Sequence, residues 1–346
     1  MQSYEISVII PFYNTSYELF DNCLQSLLCQ TFQNYELIII DDGSEECFVK
    51  YLDSKCVQLE NVRVFHLKNN GVSYARNFGL SKAVGNFICF VDSDDYLASW
   101  AFEDLYMGIC KYKADVCISY IKRTRTAECS FRRNVDYNVI DMNEKKQKCY
   151  VNEIVMRGLN VIENEKGFLS CGPCAILLKK EVARSYDFPY GIKYMEDVIW
   201  NYKVLNSTNV IVKLNETTYA YMYNALSATR KYEKHIIDDR IYSLLKIKEI
   251  IAGDEETIQW FSLRLLSNLS IICYQCGHID SVKDTITAIK DAYNYLYREE
   301  WNILNRYGID RNWEFKYRFK LFLYKTKVLP LLLTVRQVIN ELRFKQ

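Results

Sequence analysis

The chain has 346 residues, 49% hydrophobic and 25% charged, a composition that builds a buried core and excludes a disordered chain. A formal net charge of +1 supplies no field to attract nucleic acid, so no nucleic-acid partner is expected and any anionic ligand needs a local site. Thirteen cysteines, an odd number with no signal peptide ahead of Met1-Gln2-Ser3, predict reduced core thiols and a cytoplasmic protein, and no apolar run reaches the ~18–20 residues of a membrane span.

Four short apolar runs dominate the first hundred residues. Ile6–Ile10 stops at Pro11, and Tyr35–Ile40 stops at Asp41-Asp42-Gly43. Val62–Leu67 stops at Asn69-Asn70-Gly71, and Phe87–Val91 stops at Asp92-Ser93-Asp94-Asp95. Runs apolar on both faces and bounded by turn residues predict strands of a buried parallel sheet. Leu19, Phe20, Leu24, Leu27 and Leu28 recur at helical spacing, and a second helix is predicted over about 72–83. Strand–helix alternation with short links predicts a doubly wound, Rossmann-like α/β fold. In such a sheet ligands bind beyond the carboxyl ends of the strands, where all four polar clusters should gather into one crevice.

From about 121 to 165 the sequence turns polar and irregular, with a basic stretch at Lys122-Arg123-Thr124-Arg125, and predicts a loop-rich excursion. Strand patterns return at Ala175–Leu178 and Val210–Leu214. After about Leu226 the pattern is helical, led by Ile236, Ile237, Arg240, Ile241, Leu244 and Leu245. Two domains are expected: 1–225, binding and catalytic, and 226–346, a helical C-terminal subdomain ending in a basic amphipathic tail. Residues 316–346 carry eight Lys/Arg against one acid with leucines interleaved, which suits either a helix on an anionic membrane surface or one packed on the subdomain.

Three carboxylates in Asp92-Ser93-Asp94-Asp95 repel one another unless a cation or hydrogen-bond donors compensate. Mg²⁺ or Mn²⁺ shared with a substrate diphosphate would supply that compensation. Asp41-Asp42-Gly43-Ser44 can accept hydrogen bonds from a base or ribose, and Pro11-Phe12-Tyr13-Asn14 offers an aromatic face for a nucleobase. The N-terminus of the helix at Gly71 and its Arg76 can meet anionic oxygens. Cys171-Gly172-Pro173-Cys174 and the Cys273/Cys276 pair invite a redox or zinc reading. Ser170 stands where an aromatic would precede a redox pair, a strand follows where a helix should, and the pairs lie about 100 residues apart, so buried thiols are expected.

Taken in order, Ile6–Asn14, Asp41–Ser44, Gly71–Asn77 and Asp92–Asp95 resemble the signature of family 2 glycosyltransferases of the GT-A fold. The close likeness covers about residues 4–100, with a looser one to about Ser227. The resemblance implies that Tyr13 stacks on uracil, Asp42 bonds the base edge, Asp41 supports that loop and Arg76 helps hold the nucleotide. Pro11, Asn14 and Ser93 would line the same site. Asp92 would contact the ribose or diphosphate, and Asp94 would ligate the metal of a DXD motif. Met195-Glu196-Asp197 resembles the family's acidic pair, implying Asp197 as general base and Glu196 as a substrate contact. Tyr223–Ser227 resembles a segment that closes over the diphosphate. Cys174-Ala175-Ile176-Leu177 lacks the lysine and aromatic that many relatives carry there. The resemblance implies an inverting, metal-dependent transfer from a UDP-sugar to a saccharide, lipid-linked acceptor in surface polysaccharide biosynthesis, at the inner face of the cell membrane. A non-catalytic sugar-nucleotide-binding scaffold and a nucleotidyltransferase are the rivals, the latter opposed by the lack of a glycine-rich basic loop after the first strand.

Overall fold

The computed structural model describes residues 3–126, 131–157, 167–222, 235–278, 284–298, 301–302, 304 and 314–343. Residues Met1–Gly191 with Glu196–Asn224 form one compact unit, and Ile192–Met195 with Ala225–Gln346 form a second.

In the first unit the four apolar runs are strands β1 (Ile6–Phe12), β2 (Tyr35–Asp41), β3 (Val62–His66) and β4 (Phe87–Phe90). They pair in parallel in the order β3-β2-β1-β4, so their carboxyl ends share one edge. Ile6, Val8, Ile9 and Ile10 are fully buried, as are Leu37 to Ile40, each contributing about 1.5–3 kcal/mol of apolar burial. Between the strands run α1 (Tyr17–Leu28), α2 (Glu46–Cys56) and α3 (Val72–Lys82). Helix α1 buries Phe20, Cys23, Leu24 and Leu27, the i, i+3, i+4, i+7 stripe that its sequence shows. Helix α3 carries small residues where it meets the sheet; Gly79 lies against Ile9, and a methyl there would collide with that side chain.

The sheet then becomes mixed. Strand β5 (Tyr96–Leu97) and helix α4 (Ala101–Tyr112) precede β6 (Val116–Thr124). The stretch read as a loop-rich excursion is structured over much of its length, which corrects that expectation: β6 runs on through the basic residues, and β7 (Tyr137–Asp141) and α5 (Lys145–Arg157) follow. The apolar signal there was thin because β7 buries only Ile140, while α5 buries Val151, Ile154, Val155 and Met156 behind a polar first turn. Next come β8 (Phe168–Leu169), β9 (Ile176–Lys179), α6 (Lys180–Ala183), α7 (Glu196–Asn206) and β10 (Val210–Met222). Strand β9 inserts antiparallel between β4 and β6, and β10 lies parallel to β6 and antiparallel to β5 and β7. The result among the described residues is one ten-stranded sheet, with the parallel half carrying the site edge.

The second unit is helical as expected: α8 (Ile236–Ile250), α9 (Glu255–Cys276), α10 (Thr285–Leu296), α11 (Phe315–Lys325) and α12 (Leu329–Arg343). Asp254 and Asp284 cap α9 and α10 through Thr257 and Thr287. Cys273 and Cys276 are buried in α9, where burial pushes both thiols up to about 12. No described helix is long and apolar enough to cross a membrane.

Candidate active site

The site edge starts at the ends of β1 and β2. Tyr13 is 54% exposed, its ring presented outward just past Phe12. Asn14 adopts a left-handed φ of 47° and ties the two strand ends together. Its N–H donates to Ser44 Oγ at 2.9 Å, and its Oδ1 accepts from the Glu45 amide at 2.8 Å. Gly43 has φ 78°, and a Cβ there would lie 2.6 Å from the Asn69 amide nitrogen, so only glycine permits this turn.

The two aspartates of this turn hold different partners. Asp41 accepts from the Ser44 amide at 3.0 Å and pairs with His66 Nδ1 at 2.9 Å, while His66 Nε2 faces Asp53 at 3.1 Å. Burial works against charge on His66, but Asp41 and Asp53 outweigh it and hold its pKa above the ordinary value. Asp42 accepts from the Asn70 and Gly71 amides, both at 2.8 Å, and so fixes the turn into α3. Burial nonetheless pushes the Asp42 carboxyl up, against the lowering effect of those amides.

The end of β4 supplies the acid-rich turn. Asp92 and Asp94 are half-buried, whereas Ser93 and Asp95 are buried. Ser93 Oγ lies 2.6 Å from Thr15 Oγ1, joining this turn to β1. Asp95 accepts from Tyr219 Oη and the Met222 amide, both at 2.8 Å, and thereby anchors β10. Burial, with Asp94 and Asp92 beside it, drives the Asp95 carboxyl well above the usual range.

Arg76 joins this turn to the later acidic pair. It is buried in α3; its Nη2 donates to Asp92 Oδ1 at 3.1 Å and its Nη1 to Glu196 Oε1 at 3.0 Å. Its guanidinium also lies 5.3 Å from the Phe188 ring centre, and Phe188 stacks on Trp200 at 4.3 Å. Burial disfavours charge on Arg76, but Asp92, Glu196 and Asp197 more than offset it. Glu196 and Asp197 open α7, where the helix N-terminus favours carboxylates. Burial, reinforced by Asp197 and opposed by Arg76, pushes Glu196 up to about 7. Asp197 stays half-buried, its Oδ1 accepting from the Val198 amide at 2.8 Å.

The structure therefore brings Arg76, Asp92, Glu196 and Asp197 together, with Ser93 and Asp94 on the same turn as Asp92, and places Pro11, Tyr13, Asn14, Asp41 and Asp42 along the same sheet edge. The segment Tyr223–Ser227 lies outside the described residues.

Several contacts here carry no signal in the sequence. His66 clamps the Asp41 turn. Asn77 exchanges two hydrogen bonds with the Phe188 backbone, at 2.8 and 2.9 Å, fastening α3 to the segment before α7. Tyr219 Oη accepts from the Asp92 amide at 3.2 Å while donating to Asp95. The Cys171/Cys174 pair is buried, as expected of core thiols, yet Cys174 Sγ donates to Asp92 Oδ2 at 3.5 Å, so it touches the site.

Asp92, Asp94 and Asp95 offer oxygen donors, the ligand type that hard divalent cations take. Burial, with lesser contributions from Asp95, Asp94 and Asp92, pushes the thiol of Cys23 in α1 well up. Arg76 and Cys174 engage both oxygens of Asp92. Among the described residues no three His, Cys, Asp or Glu side chains gather as a metal-binding group. An ion there would complete its shell from substrate oxygens, as Mg²⁺ and Mn²⁺ do with nucleotides.

The architecture is that of a GT-A glycosyltransferase. The family model for glycosyl transferase family 2 matches residues 7–183, just over half of the 346, and the chain belongs to that family. It is 30% identical over 226 residues to glycosyltransferase GlyA of Streptococcus pneumoniae serotype 4, a match covering 65% of this chain and about a third (32%) of GlyA's length. It is 30% identical over 227 residues to GlyG of the same strain, covering 65% of this chain and 73% of GlyG. The crystal structure of S. aureus TarS 1–349 in complex with UDP-GlcNAc shares the fold, with a TM-score of 0.63 at 19% identity over 99% of this chain and 92% of that one.

Proposed function

We propose that the chain is an inverting, divalent-metal-dependent transferase that moves a hexose or N-acetylhexosamine from a UDP-sugar to a saccharide acceptor, lipid-linked, in surface polysaccharide biosynthesis. The observation that carries this reading is Arg76, which binds both Asp92 and Glu196, 120 residues from it in sequence, and so joins the turn of Asp92 to the Glu196-Asp197 pair. UDP as the nucleotide is supported by TarS, whose like fold holds UDP-GlcNAc.

The exposed Tyr13 ring stacks on uracil, and Asp42, with one lone pair left on each oxygen after Asn70 and Gly71, accepts from the base edge. Asp41 keeps that turn in shape through Ser44 and His66. Asp92, its carboxylate already oriented by Arg76, meets the ribose or diphosphate. Asp94 would hold Mn²⁺ or Mg²⁺, which when bound offsets the charge building on the departing diphosphate. Asp197 takes the proton from an acceptor hydroxyl, whose oxygen attacks the anomeric carbon from the face opposite the nucleotide. One displacement inverts that carbon, so an α-linked donor yields a β-linkage. Glu196, protonated for part of the time near pH 7, can donate a hydrogen bond to substrate.

Contact with an anionic membrane is supported by α11, whose Phe315, Phe319 and Phe322, spaced i, i+4, i+7, are 71%, 48% and 52% exposed beside Lys316 and Lys325. Co-sedimentation with phosphatidylglycerol vesicles, lost on replacing the three phenylalanines by serine, checks it.

The central test is UDP release from a panel of UDP-sugars with Mn²⁺. Metal-dependent turnover of one donor, lost in Asp94→Ala, is expected, with Asp197→Asn reducing turnover about 10²–10⁴-fold while UDP still binds. No donor bound or turned over by the wild type sinks the reading.

A further inference from the structure

The segment Ser170–Ala175, between β8 and β9, lies against both functional carboxylates. Its C-terminal end is pinned. The Ser119 amide donates to the Ala175 carbonyl at 3.0 Å, and Cys174 forms an isolated β-bridge with Phe90, two residues before Asp92. Ser170 Oγ accepts from the Gly172 amide at 3.0 Å, and Ala175 is held at a left-handed φ of 60°. A non-glycine residue in that region persists only where its surroundings determine it, so the path of the segment is fixed rather than adaptable.

On this fixed path Cys174 Sγ donates to Asp92 Oδ2 at 3.5 Å. Two residues earlier, the bare Cα of Gly172 faces Asp197. A Cβ built at Gly172 would stand 2.7 Å from Asp197 Oδ2 and 3.4 Å from its Cβ and Cγ. Gly172 is not among the residues of positive φ, so its backbone conformation does not exclude alanine; what the position requires is room. The intruding methyl would meet the end of a side chain rather than backbone, which allows the protein to fold and the carboxylate to swing aside.

We infer that Gly172 is a positioning residue for transfer: the space it leaves sets where the Asp197 carboxylate stands, on the same segment whose Cys174 orients Asp92. The inference rests on the assignment of Asp197 as base. Restoring ordinary contact, from 2.7 to 3.4 Å, moves Asp197 Oδ2 by about 0.7 Å, and a displacement near 1 Å can cost about 10²-fold in rate.

The test compares wild type, Gly172→Ala, Asp197→Asn and the double variant. The readouts are UDP release from UDP-GlcNAc, or the panel sugar that is turned over, with water as acceptor; UDP affinity by calorimetry; melting temperature; and a crystal structure of Gly172→Ala. Expected are a fall of roughly 10–100-fold in turnover, UDP affinity within about twofold, and an almost unchanged melting temperature. Because the methyl acts only through Asp197, Gly172→Ala should add little to the loss already caused by Asp197→Asn. The crystal structure should show the carboxylate moved. Wild-type turnover in Gly172→Ala, an unmoved carboxylate, additive losses, or a parallel collapse of UDP affinity and melting temperature overturns the inference. Wild-type turnover in Asp197→Asn instead removes the base assignment on which it rests.

Discussion

Replacing Arg76 with methionine removes the guanidinium that joins Asp92 to Glu196 and keeps most of the side-chain volume. The Arg76 side chain is 6% exposed, that of Glu196 11% and that of Asp92 33%. Breaking a buried ion pair by deleting one partner costs about 3–5 kcal/mol, because the remaining charge is left without compensation. Asp92 can recruit water and Glu196 can take up a proton, so the loss should sit near the lower figure at pH 8 and shrink in acid. The sign follows from linkage. Glu196 is raised from 4.5 to about 7, so between those values the folded state holds a proton that the unfolded chain has lost. Stability therefore falls as pH rises through that window. Without Arg76, which lowers this group, the native value climbs further and the fall continues above 7. The penalty of Arg76→Met should thus grow by up to about 1.4 kcal/mol per pH unit above 7. Urea unfolding between pH 6 and 9, followed by tryptophan fluorescence with Trp200 stacked on Phe188, measures it. Glu196→Gln in the same background should recover part of the loss. A penalty below about 1 kcal/mol, or one flat across that pH range, would refute the reasoning.

Gly43→Ala should cost at least about 2 kcal/mol, since it combines φ 78° with a methyl 2.6 Å from a backbone nitrogen; calorimetry should show UDP affinity falling with it, because Asn69 leads into the turn that Asp42 holds. For His66, whose folded pKa lies above 6.5, the stabilising clamp on Asp41 and Asp53 is complete below 6.5 and lost as pH rises through the folded value. His66→Gln should flatten the decline in melting temperature across that window, and an unchanged slope would remove the clamp from consideration.

The parallel half of the sheet is legible because β1, β2 and β4 are buried on both faces and each ends at a polar turn; the strand ends then place the polar clusters on one edge without a side-chain contact. What was hidden depends on tertiary proximity. Nothing in Cys171-Gly172-Pro173-Cys174 reveals that its thiol reaches Asp92, and the redox look of that tetrapeptide points elsewhere. Arg76 and Glu196 are both named from the sequence, but nothing in it pairs them across 120 residues. Strand β7 carries no apolar pattern because it buries only Ile140, and the stripe of α5 is hidden because its buried residues all lie in its second half, after a lysine-rich first turn.

The insertion of β9 between β4 and β6 bears on how the chain is made. Strand β4, which ends in the acid-rich turn, has β1 on one side but gains its other neighbour only when Lys179 has been synthesised, 89 residues after Phe90. At roughly 5–20 residues per second that leaves an open strand edge for about 4–18 seconds on each nascent chain. A fragment holding all four signature motifs but ending near residue 100 would keep that edge for good, and strand edges of this kind recruit other chains. The part of the protein easiest to recognise is therefore the part least fit to be produced alone.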